Sequence, residues 1–370
     1  MKLTFVGDIA CDKPLLKAAK TETGFDFSDV FRTEKLFSKS DYVIGNLEVC
    51  FAEGPKYAYK PYHYSIPKEF CTAIRNAGFN VLGMANNHCF DEDIEGIRRT
   101  LEVVEKNGLY HTGTFCGDIQ EKRYIILEKE ELKVAFFSLT DTVNSNFEAS
   151  HCDDLSKYVN IIGFKGKSYS NNKFLRYLKF YVRPNLGKLL HKIKDGSTIA
   201  PQVDQIKEYS ICYTWWDEIK RNLVRAKSEA DFLIVLLHIG GQFNEEPGEF
   251  SNFIVDQLCG IGVDLIVGHH PHTIQKIEKK GKTLIAFSLG GFCMSPSGEY
   301  LVHDCLPEYG MVLHVELEKN KELSYTWDLI KGIEERNHYL HVIPVDELDI
   351  DKTMEKDILK LKNRIEGVQR

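Results

Sequence analysis

The stretch DLIVGHHPH, residues 264–272, decides the fold class of this 370-residue chain. Its apolar run at 265–267 leads directly into three imidazoles within four positions, His269, His270 and His272. A short, continuously apolar run is typical of a strand that is covered on both faces. Polar side chains at the carboxyl ends of such strands meet at one edge of a sheet, so this stretch predicts a buried strand that presents functional groups.

The same pattern recurs elsewhere in the chain, where a short apolar or β-branched run ends in polar residues. It occurs at four places: Asp8 after 2–6, Asn46 and Glu48 after 42–44, Asn87 and His88 after 80–84, and His238 after 232–237. Helical patterns alternate with these runs, and the clearest is the amphipathic segment 91–106. This alternation predicts an α/β fold built in layers.

Each of these polar residues also has a purely structural interpretation. A histidine at the end of a strand, such as His238, is more often a hydrogen-bonded core residue than a ligand, and Asp8 alone suits a cap or a turn. The 269–272 cluster is harder to explain in that way, because Pro271 stiffens it and Gly268 lets the backbone approach closely. The five groups together predict a mixed oxygen and nitrogen ligand set, which suits Mn²⁺, Fe²⁺ or Zn²⁺ rather than a thiolate site.

The composition is that of an ordinary globular protein, with 43% hydrophobic and 27% charged residues. A net charge of −7 and a pI near 6.0 give no overall attraction to nucleic acid, so no nucleic-acid partner is expected. The ten cysteines form no C-x-x-C pair, which excludes a zinc ribbon or a thioredoxin-type motif. No signal-peptide core and no apolar run of about 18 residues is present, so we expect a cytoplasmic protein.

The domain organisation follows from where the α/β pattern stops. We expect one domain over residues 1–330 with an insertion at about 141–217, followed by a C-terminal extension, 331–370, that ends in a peripheral helix. The core of the insertion, 164–194, has nine Lys or Arg, no acid and six aromatic residues. It could be a solvated amphipathic helix pair, a basic lid for an anionic substrate, or a patch for a partner or a membrane surface. The candidate lid residues are Lys173, Arg176, Lys179 and Arg183.

These motifs resemble those of the CapA family of poly-γ-glutamate capsule biosynthesis proteins, which belongs with the calcineurin-like metallophosphoesterases. The resemblance covers residues 1–140 and 231–295. It rests on Gly7-Asp8, Asn46-Leu47-Glu48, Ala85-Asn86-Asn87-His88 with Asp91, the strand that ends at His238, Gly268-His269-His270-Pro271-His272, and Ser288-Leu289-Gly290. The resemblance implies a four-layer α/β/β/α sandwich of the metallo-dependent phosphatase type, with two divalent metal ions, Mn, Fe or Zn, at one end of two packed sheets.

The resemblance also implies a role for each residue at the site. The metal ligands would be Asp8 and His272 for the first ion, Glu48 as a bridge, and Asn87, His238 and His270 for the second ion. His88 would protonate the leaving group as a general acid. Asn46 would assist near the bridge, and Asn86 and His269 are further assisting candidates.

The chain departs from the commonest metallophosphoesterase pattern at three positions. Asp8-Ile9-Ala10 stands where many members have Asp-x-His, so one usual ligand of the first ion is absent. Ile239 replaces the tryptophan that commonly follows the strand-end histidine, and Gly291 replaces the usual asparagine after Ser288-Leu289-Gly290. The other ligand positions of the pattern are present, and these departures do not identify the substrate.

The function implied is that of a metal-dependent, phosphoesterase-like hydrolase linked to capsule or poly-γ-glutamate biosynthesis. Its partner would be a phosphorylated small molecule or an anionic polymer, with peripheral contact to capsule machinery at the inner face of the membrane. One alternative assigns the same metal site to assembly, release or hydrolysis of γ-linked polyglutamate. Another is a non-catalytic or polyanion-binding component of a capsule or polyglutamate assembly system.

Overall fold

A computed structural model describes residues 1–51, 65–117, 122–144, 152–163, 189, 193, 199–206, 211–298, 300–319 and 322–368. The strands are β1 (Lys2–Ile9), β2 (Tyr42–Leu47), β3 (Cys50–Phe51), β4 (Ser65–Ile66), β5 (Val81–Gly83), β6 (Tyr110–Thr112), β7 (Ile125–Lys129), β8 (Leu132–Thr140), β9 (Phe232–His238), β10 (Leu265–His269), β11 (Ile277–Lys280), β12 (Thr283–Ala286), β13 (Gly291–Cys293), β14 (Tyr309–Leu317), β15 (Leu323–Glu334) and β16 (Leu340–Pro344). The α-helices are α1 (Lys13–Ala18), α2 (Glu34–Phe37), α3 (Glu69–Asn76), α4 (Asp93–Lys106), α5 (Cys152–Tyr158), α6 (Tyr213–Glu229), α7 (Glu249–Ile261) and α8 (Lys352–Ile365). Short 3₁₀ turns lie at His303–Cys305 and Val345–Glu347.

Two sheets form the centre of the fold. The larger has the order β16-β15-β14-β1-β2-β5-β6, with β13 pairing alongside β1, and the smaller has the order β11-β12-β10-β9-β8-β7. The strands β1, β2, β5 and β6 run parallel in the first sheet, and β8, β9, β10 and β12 run parallel in the second. The carboxyl ends of several strands in each sheet therefore point the same way, which is the arrangement that gathers side chains into a site.

The sheets pack face to face, and helices cover their outer faces. Strand β9 shows this by alternation: Ile234 and Leu236 belong to the apolar core between the sheets, whereas Leu233 and Val235 pack with Leu258 and the rest of the layer formed by α6 and α7. A third core on the other side joins the larger sheet to α1, α3 and α4. The four-layer α/β/β/α arrangement is confirmed, and the continuous apolar run of β9 is explained by burial on both faces.

Helix α4 follows the amphipathic pattern predicted for it. Ile97, Leu101 and Val104 are buried at helical spacing. The helix begins two residues later than expected, and Asp91 instead lies before it with its carboxylate turned toward His88. No helix among the described residues combines the length and apolar character needed to cross a bilayer.

The C-terminal residues are more integrated than the sequence suggested. Strand β15 runs through the boundary expected near residue 331, and β16 adds a further strand to the larger sheet. Helix α8 buries Leu361, Arg364 and Ile365, and its other side chains are exposed or half-buried. The expectation of a C-terminal extension with a peripheral helix stays a prediction.

The expected insertion at 141–217 divides into two parts. Residues 152–163 belong to the fold, since Leu155, Val159 and Ile161 are buried in the core beside the larger sheet. Apart from residues 189 and 193, the basic-aromatic segment 164–194 lies outside the described residues. The lid candidates Lys173, Arg176, Lys179 and Arg183 lie there too.

Candidate metal centre

The polar groups predicted from the strand ends converge at one end of the two sheets. In the larger sheet, Asp8 on β1 lies opposite Asn46 on β2, and Glu48 follows β2 directly. In the smaller sheet, His238 at the end of β9 lies opposite His269 at the end of β10. All five side chains are buried. The parallel register of neighbouring strands, together with the packing of the sheets, brings residues more than 200 positions apart into one site.

The loop after β10 is held in an unusual conformation over this site. Its backbone has positive φ at His270 (93°) and at His272 (53°), a region that non-glycine residues seldom occupy. The N–H of His270 donates to Asp8 Oδ2 at 3.1 Å, which ties the loop to β1. Gly268 is required just before it, because a Cβ there would lie 1.8 Å from the carbonyl oxygen of Phe287. The surrounding contacts therefore fix the directions of both imidazoles.

Two groups of side chains could each hold a metal ion, and they share one carboxylate. The first group is Asp8, Glu48 and His272, and the second is Glu48, His238 and His270. Within each group the donor atoms lie within 4.8 Å of one another. Asn87 adjoins the second group, with its Oδ1 2.7 Å from His238 Nε2. The six residues that the resemblance named as ligands are thus brought together, with Glu48 at the centre.

Glu48 itself provides the test of whether a cation fits. Both of its carboxylate oxygens are buried and have no hydrogen-bond partner among the described residues. Its nearest imidazole nitrogens are His238 Nε2 at 3.6 Å and His272 Nε2 at 3.7 Å. A buried carboxylate without hydrogen bonds is costly, and a bound cation would supply the missing partner and charge. The residues present therefore fit divalent metal ions.

The electrostatics of the site agree with this fit. Burial raises the pKa of Glu48 well above its ordinary value, and the carboxylates of Asp8 and Asp91 raise it further. Burial also acts to raise the pKa of Asp8, but the imidazoles of His238, His269 and His272 outweigh it and hold that pKa well below its ordinary value. Burial lowers the pKa of His238 to about 4, despite the nearby Asp8. His238 is therefore neutral at pH 7, which is the form that binds metal.

His88 lies beside the two groups but belongs to neither. Its Nδ1 is 2.7 Å from Asp91 Oδ2, and its Nε2 is 3.3 Å from Asn144 Nδ2. The backbone N–H of His88 donates to Asn86 Oδ1 at 3.1 Å. The Asp91 carboxylate thus orients the ring through Nδ1, which leaves Nε2 facing Asn144.

The three assisting candidates lie at the site and support other residues. Asn46 Nδ2 donates to Asp8 Oδ1 at 2.8 Å, and Asn86 Nδ2 donates to the Leu47 carbonyl at 2.7 Å. His269 is fully enclosed, with Nδ1 3.5 Å from Asp8 Oδ1, and neither ring nitrogen has a hydrogen-bond partner within the described parts of the chain. Asn46 therefore orients Asp8 on β1, and Asn86 holds the end of β2 through the Leu47 carbonyl. His269 lies close to Asp8 and influences the charge of its carboxylate.

Three residues at the site were not assigned a role from the sequence. Asp91 orients His88, Asn144 faces His88 Nε2, and Gln242 Nε2 lies 3.4 Å from His272 Nε2. The spacing of three between His88 and Asp91 was the available signal for the first. Asn144 and Gln242 lie in loops with no periodic pattern, so only the fold could place them.

Comparison with known proteins gives a consistent result. Residues 2–295 match the family model described as "Bacterial capsule synthesis protein PGA_cap". Three curated relatives are each 26% identical to the chain: the uncharacterized protein y4sH of Sinorhizobium fredii (78% of this chain and 64% of the relative), the PGA biosynthesis protein CapA of Bacillus subtilis (79% and 63%), and the capsule biosynthesis protein CapA of Bacillus anthracis (79% and 59%). The chain spans less than two thirds of the length of these relatives.

The matched range contains every candidate ligand, from Asp8 to His272. It also confirms the resemblance drawn from the motifs, which pointed to CapA proteins within the calcineurin-like metallophosphoesterases. The family model covers well over half of the 370 residues. The chain belongs to the bacterial capsule synthesis protein PGA_cap family.

Proposed function

We propose that the chain is a metal-dependent hydrolase of the phosphoesterase type, with a dinuclear metal centre. The observation that carries the proposal is the sharing of Glu48 between two groups of potential ligands, together with the absence of hydrogen-bond partners for its carboxylate among the described residues. A carboxylate has two oxygens, so it can serve one cation on each side while its negative charge offsets their mutual repulsion. The protein ligands proposed are Asp8, Glu48, Asn87, His238, His270 and His272.

The chemistry of the centre divides between the metal ions and the side chains. When bound, two divalent ions supply positive charge that stabilises a phosphoryl group in transit and makes water more acidic. Asp8 orients His272 and the His270 backbone, with Nδ1 of His272 2.9 Å from Asp8 Oδ2. Asn46 in turn fixes Asp8. The side chains thus keep the ligand set in one arrangement before the substrate binds.

His88 is the proposed general acid. It carries the transferable proton on Nε2 and donates it to the oxygen of the leaving group. Asp91 holds the ring by its contact with Nδ1, and Asn144 lies at Nε2. The side chain of His88 is buried at 5% exposure, so the protein, rather than bulk water, sets its orientation.

The proposed substrate class is a phosphorylated small molecule or the phosphorylated end of an anionic polymer. Two relatives are named for biosynthesis of capsule or PGA, and this supports a place in the production of an anionic polymer. The basic candidates Lys173, Arg176, Lys179 and Arg183 would contribute charge attraction. Such attraction weakens as ionic strength rises. A cytoplasmic location, with peripheral contact at the inner membrane face, is part of the same proposal.

Metal content and turnover test this function together. Protein purified without chelator is expected to hold about two divalent ions per chain and to hydrolyse a generic aryl phosphate. The double variant His270→Ala/His272→Ala should lose both properties, because it removes one ligand from each group. The matched control is His338→Asn, an exposed histidine at φ 71° where asparagine tolerates the backbone.

The outcomes separate the proposed function from its alternatives. Metal content that is equal in the double variant and the control would contradict the metal assignment. Metal binding without turnover of any phosphoester, combined with salt-sensitive binding of polyglutamate, would support the non-catalytic, polyanion-binding alternative. Release of glutamate from the polymer would instead support polyglutamate hydrolysis at the same centre.

A further inference from the structure

A buried arginine on the C-terminal helix α8 contacts the loop that carries two of the candidate ligands. Arg364 is 7% exposed and lies beyond residues 2–295, the range that matches the family. Its guanidinium lies between three loops, at 242–245, 270–275 and 303–306. Arginine at a buried position needs its planar set of donors satisfied, and each partner here comes from one of these loops.

The contacts of Arg364 form a fork. Nη1 donates to Thr273 Oγ1 at 2.8 Å, to the Ile274 carbonyl at 3.2 Å and to the Cys305 carbonyl at 3.3 Å. Nη2 donates to the carboxylate of Glu245. Thr273 Oγ1 in turn donates to the Cys305 carbonyl at 2.6 Å, which closes the network. Thr273, which directly follows the ligand His272, is therefore bonded both to Arg364 and to the Cys305 carbonyl.

The loops at 242–245 and 270–275 are also joined to each other. The Phe243 N–H donates to the Pro271 carbonyl at 2.7 Å, and Gln275 Nε2 donates to the Asn244 carbonyl at 2.8 Å. Through Glu245, Arg364 secures the end of the first of these loops as well as Thr273 in the second. A displacement at Arg364 would thus be transmitted to His272 along both loops.

All three loops contain strained backbone. Positive φ occurs at Phe243 (62°), His270 (93°), His272 (53°) and Leu306 (58°), none of which is glycine. Such conformations cost free energy and persist only where surrounding contacts impose them. The strained residues lie within three positions of a group that bonds to Arg364. The Arg364 guanidinium therefore bonds to the loops whose strained backbone depends on surrounding contacts.

One carboxylate serves two cations at this anchor. Glu245 pairs with Arg364 and also with Lys360 of α8, whose Nζ lies 2.7 Å from Glu245 Oε1. Burial lowers the pKa of Arg364, although Glu245 opposes that effect. Arg364 is buried, whereas Glu245 is partly exposed, so moving the loop away from α8 would leave the buried guanidinium without its carboxylate partner.

We propose that Arg364 is a positioning residue for the metal centre. Through Arg364, helix α8 holds the His270–Pro271–His272 loop so that His272 can complete the group with Asp8 and Glu48. Helix α8 lies outside the segment that matches the family. This inference rests on the proposed metal-binding function. It assigns Arg364 no contact with substrate or metal. His270 depends on Arg364 less, because it lies three residues before Thr273 and its backbone N–H is bonded to Asp8, whereas His272 directly precedes Thr273.

The test measures metal affinity at each group separately. In a His238→Ala background the intact group is Asp8, Glu48 and His272, and in a His272→Ala background it is Glu48, His238 and His270. Arg364→Lys is added to each, and Mn²⁺ binding is measured by titration. We expect about a 10- to 100-fold loss of affinity in the first background, the range typical of residues that orient ligands, and a much smaller loss in the second.

Controls separate positioning from general destabilisation. Lys362→Met, an exposed change on the same helix, should leave both affinities unaltered. Thr273→Val, which keeps the side-chain volume but removes the oxygen that Arg364 contacts, should reproduce the selective loss. In the metal-free protein, Arg364→Lys should also speed hydrogen exchange at the Gln275 amide, which is bonded to the Ser288 carbonyl at 3.0 Å.

Each result has a defined meaning. Selective loss of the Asp8–Glu48–His272 site in Arg364→Lys and in Thr273→Val supports the inference. Equal affinities in substituted and unsubstituted chains, or equal losses at both groups, overturn it while leaving the proposed function intact. Absence of Mn²⁺ binding by the unsubstituted chain overturns the proposed function and this inference with it.

Discussion

Replacing Glu48 with glutamine should have opposite effects on metal binding and on the stability of the metal-free protein. Glu48 is the one residue common to both ligand groups, so Glu48→Gln is expected to abolish the paired binding of divalent ions. In the metal-free chain the same carboxylate is buried without a hydrogen-bond partner among the described residues and lies near Asp8 and Asp91. Removing its charge should therefore stabilise the metal-free fold.

The size and pH dependence of this gain follow from the pKa of Glu48. Its ordinary value is 4.5, and the folded, metal-free chain raises it well above that value, so the folded state holds a proton that the unfolded state has released. Stability of the metal-free chain consequently falls as the pH rises from about 4.5 through the folded pKa. Glutamine keeps an unpaired polar group at this position but cannot ionise, so Glu48→Gln should gain at pH 8 only the cost of the buried charge, about 1.4 kcal/mol for each pH unit by which folding raises the pKa.

Denaturant unfolding of chelator-treated protein at pH 8 and pH 4.5 measures this gain. The difference between Glu48→Gln and the unsubstituted chain should become small at the lower pH, where the carboxyl is protonated in the folded state and about half protonated in the unfolded state. Glu22→Gln, at an exposed loop position, is the matched control and should change neither stability nor metal content. A destabilised metal-free Glu48→Gln variant at pH 8, or one that still binds two ions, would refute the reasoning.

Two further predictions concern the proposed acid. His88→Ala should keep its metal content, but its rate of hydrolysis of esters with poor leaving groups should fall by about 10²–10⁴-fold. The rate should fall less for activated aryl esters, whose leaving groups need no proton. Steady-state rates with both ester types check this, and equal losses would count against the role of His88 as an acid. Asp91→Asn should retain metal and show a partial loss of rate with a shifted pH profile, because the ring keeps its place but loses the carboxylate at Nδ1; an unchanged profile would remove Asp91 from the proposal.

The layers and the strand ends could be predicted because burial leaves a direct trace in the sequence. Strands β9 and β10 are apolar on both faces, and His238 and His269 interrupt that character where each strand ends. The alternation of strands and helices predicted the layered fold. The bridging position of Glu48 came from the family resemblance, since nothing in its local sequence distinguishes it from a surface charge.

The remaining features depend on contacts that leave little local signal. Strand β13 has only three residues and begins at the second of two adjacent glycines, so the pattern there indicates a turn rather than a strand. Arg364 lies in a strongly charged helix, where sequence periodicity favours a solvent-exposed face. Its ion pair with Glu245 exists only because the chain returns to the site after more than 100 residues. Asn144 likewise reaches His88 only through the fold.

Anomalous diffraction from crystals grown with Mn²⁺ would test the central claim most directly. We expect two Mn²⁺ peaks, both in contact with Glu48, with Asp8 and His272 at the first and His238 and His270 at the second. A single peak, or two peaks of which neither contacts Glu48, would contradict it.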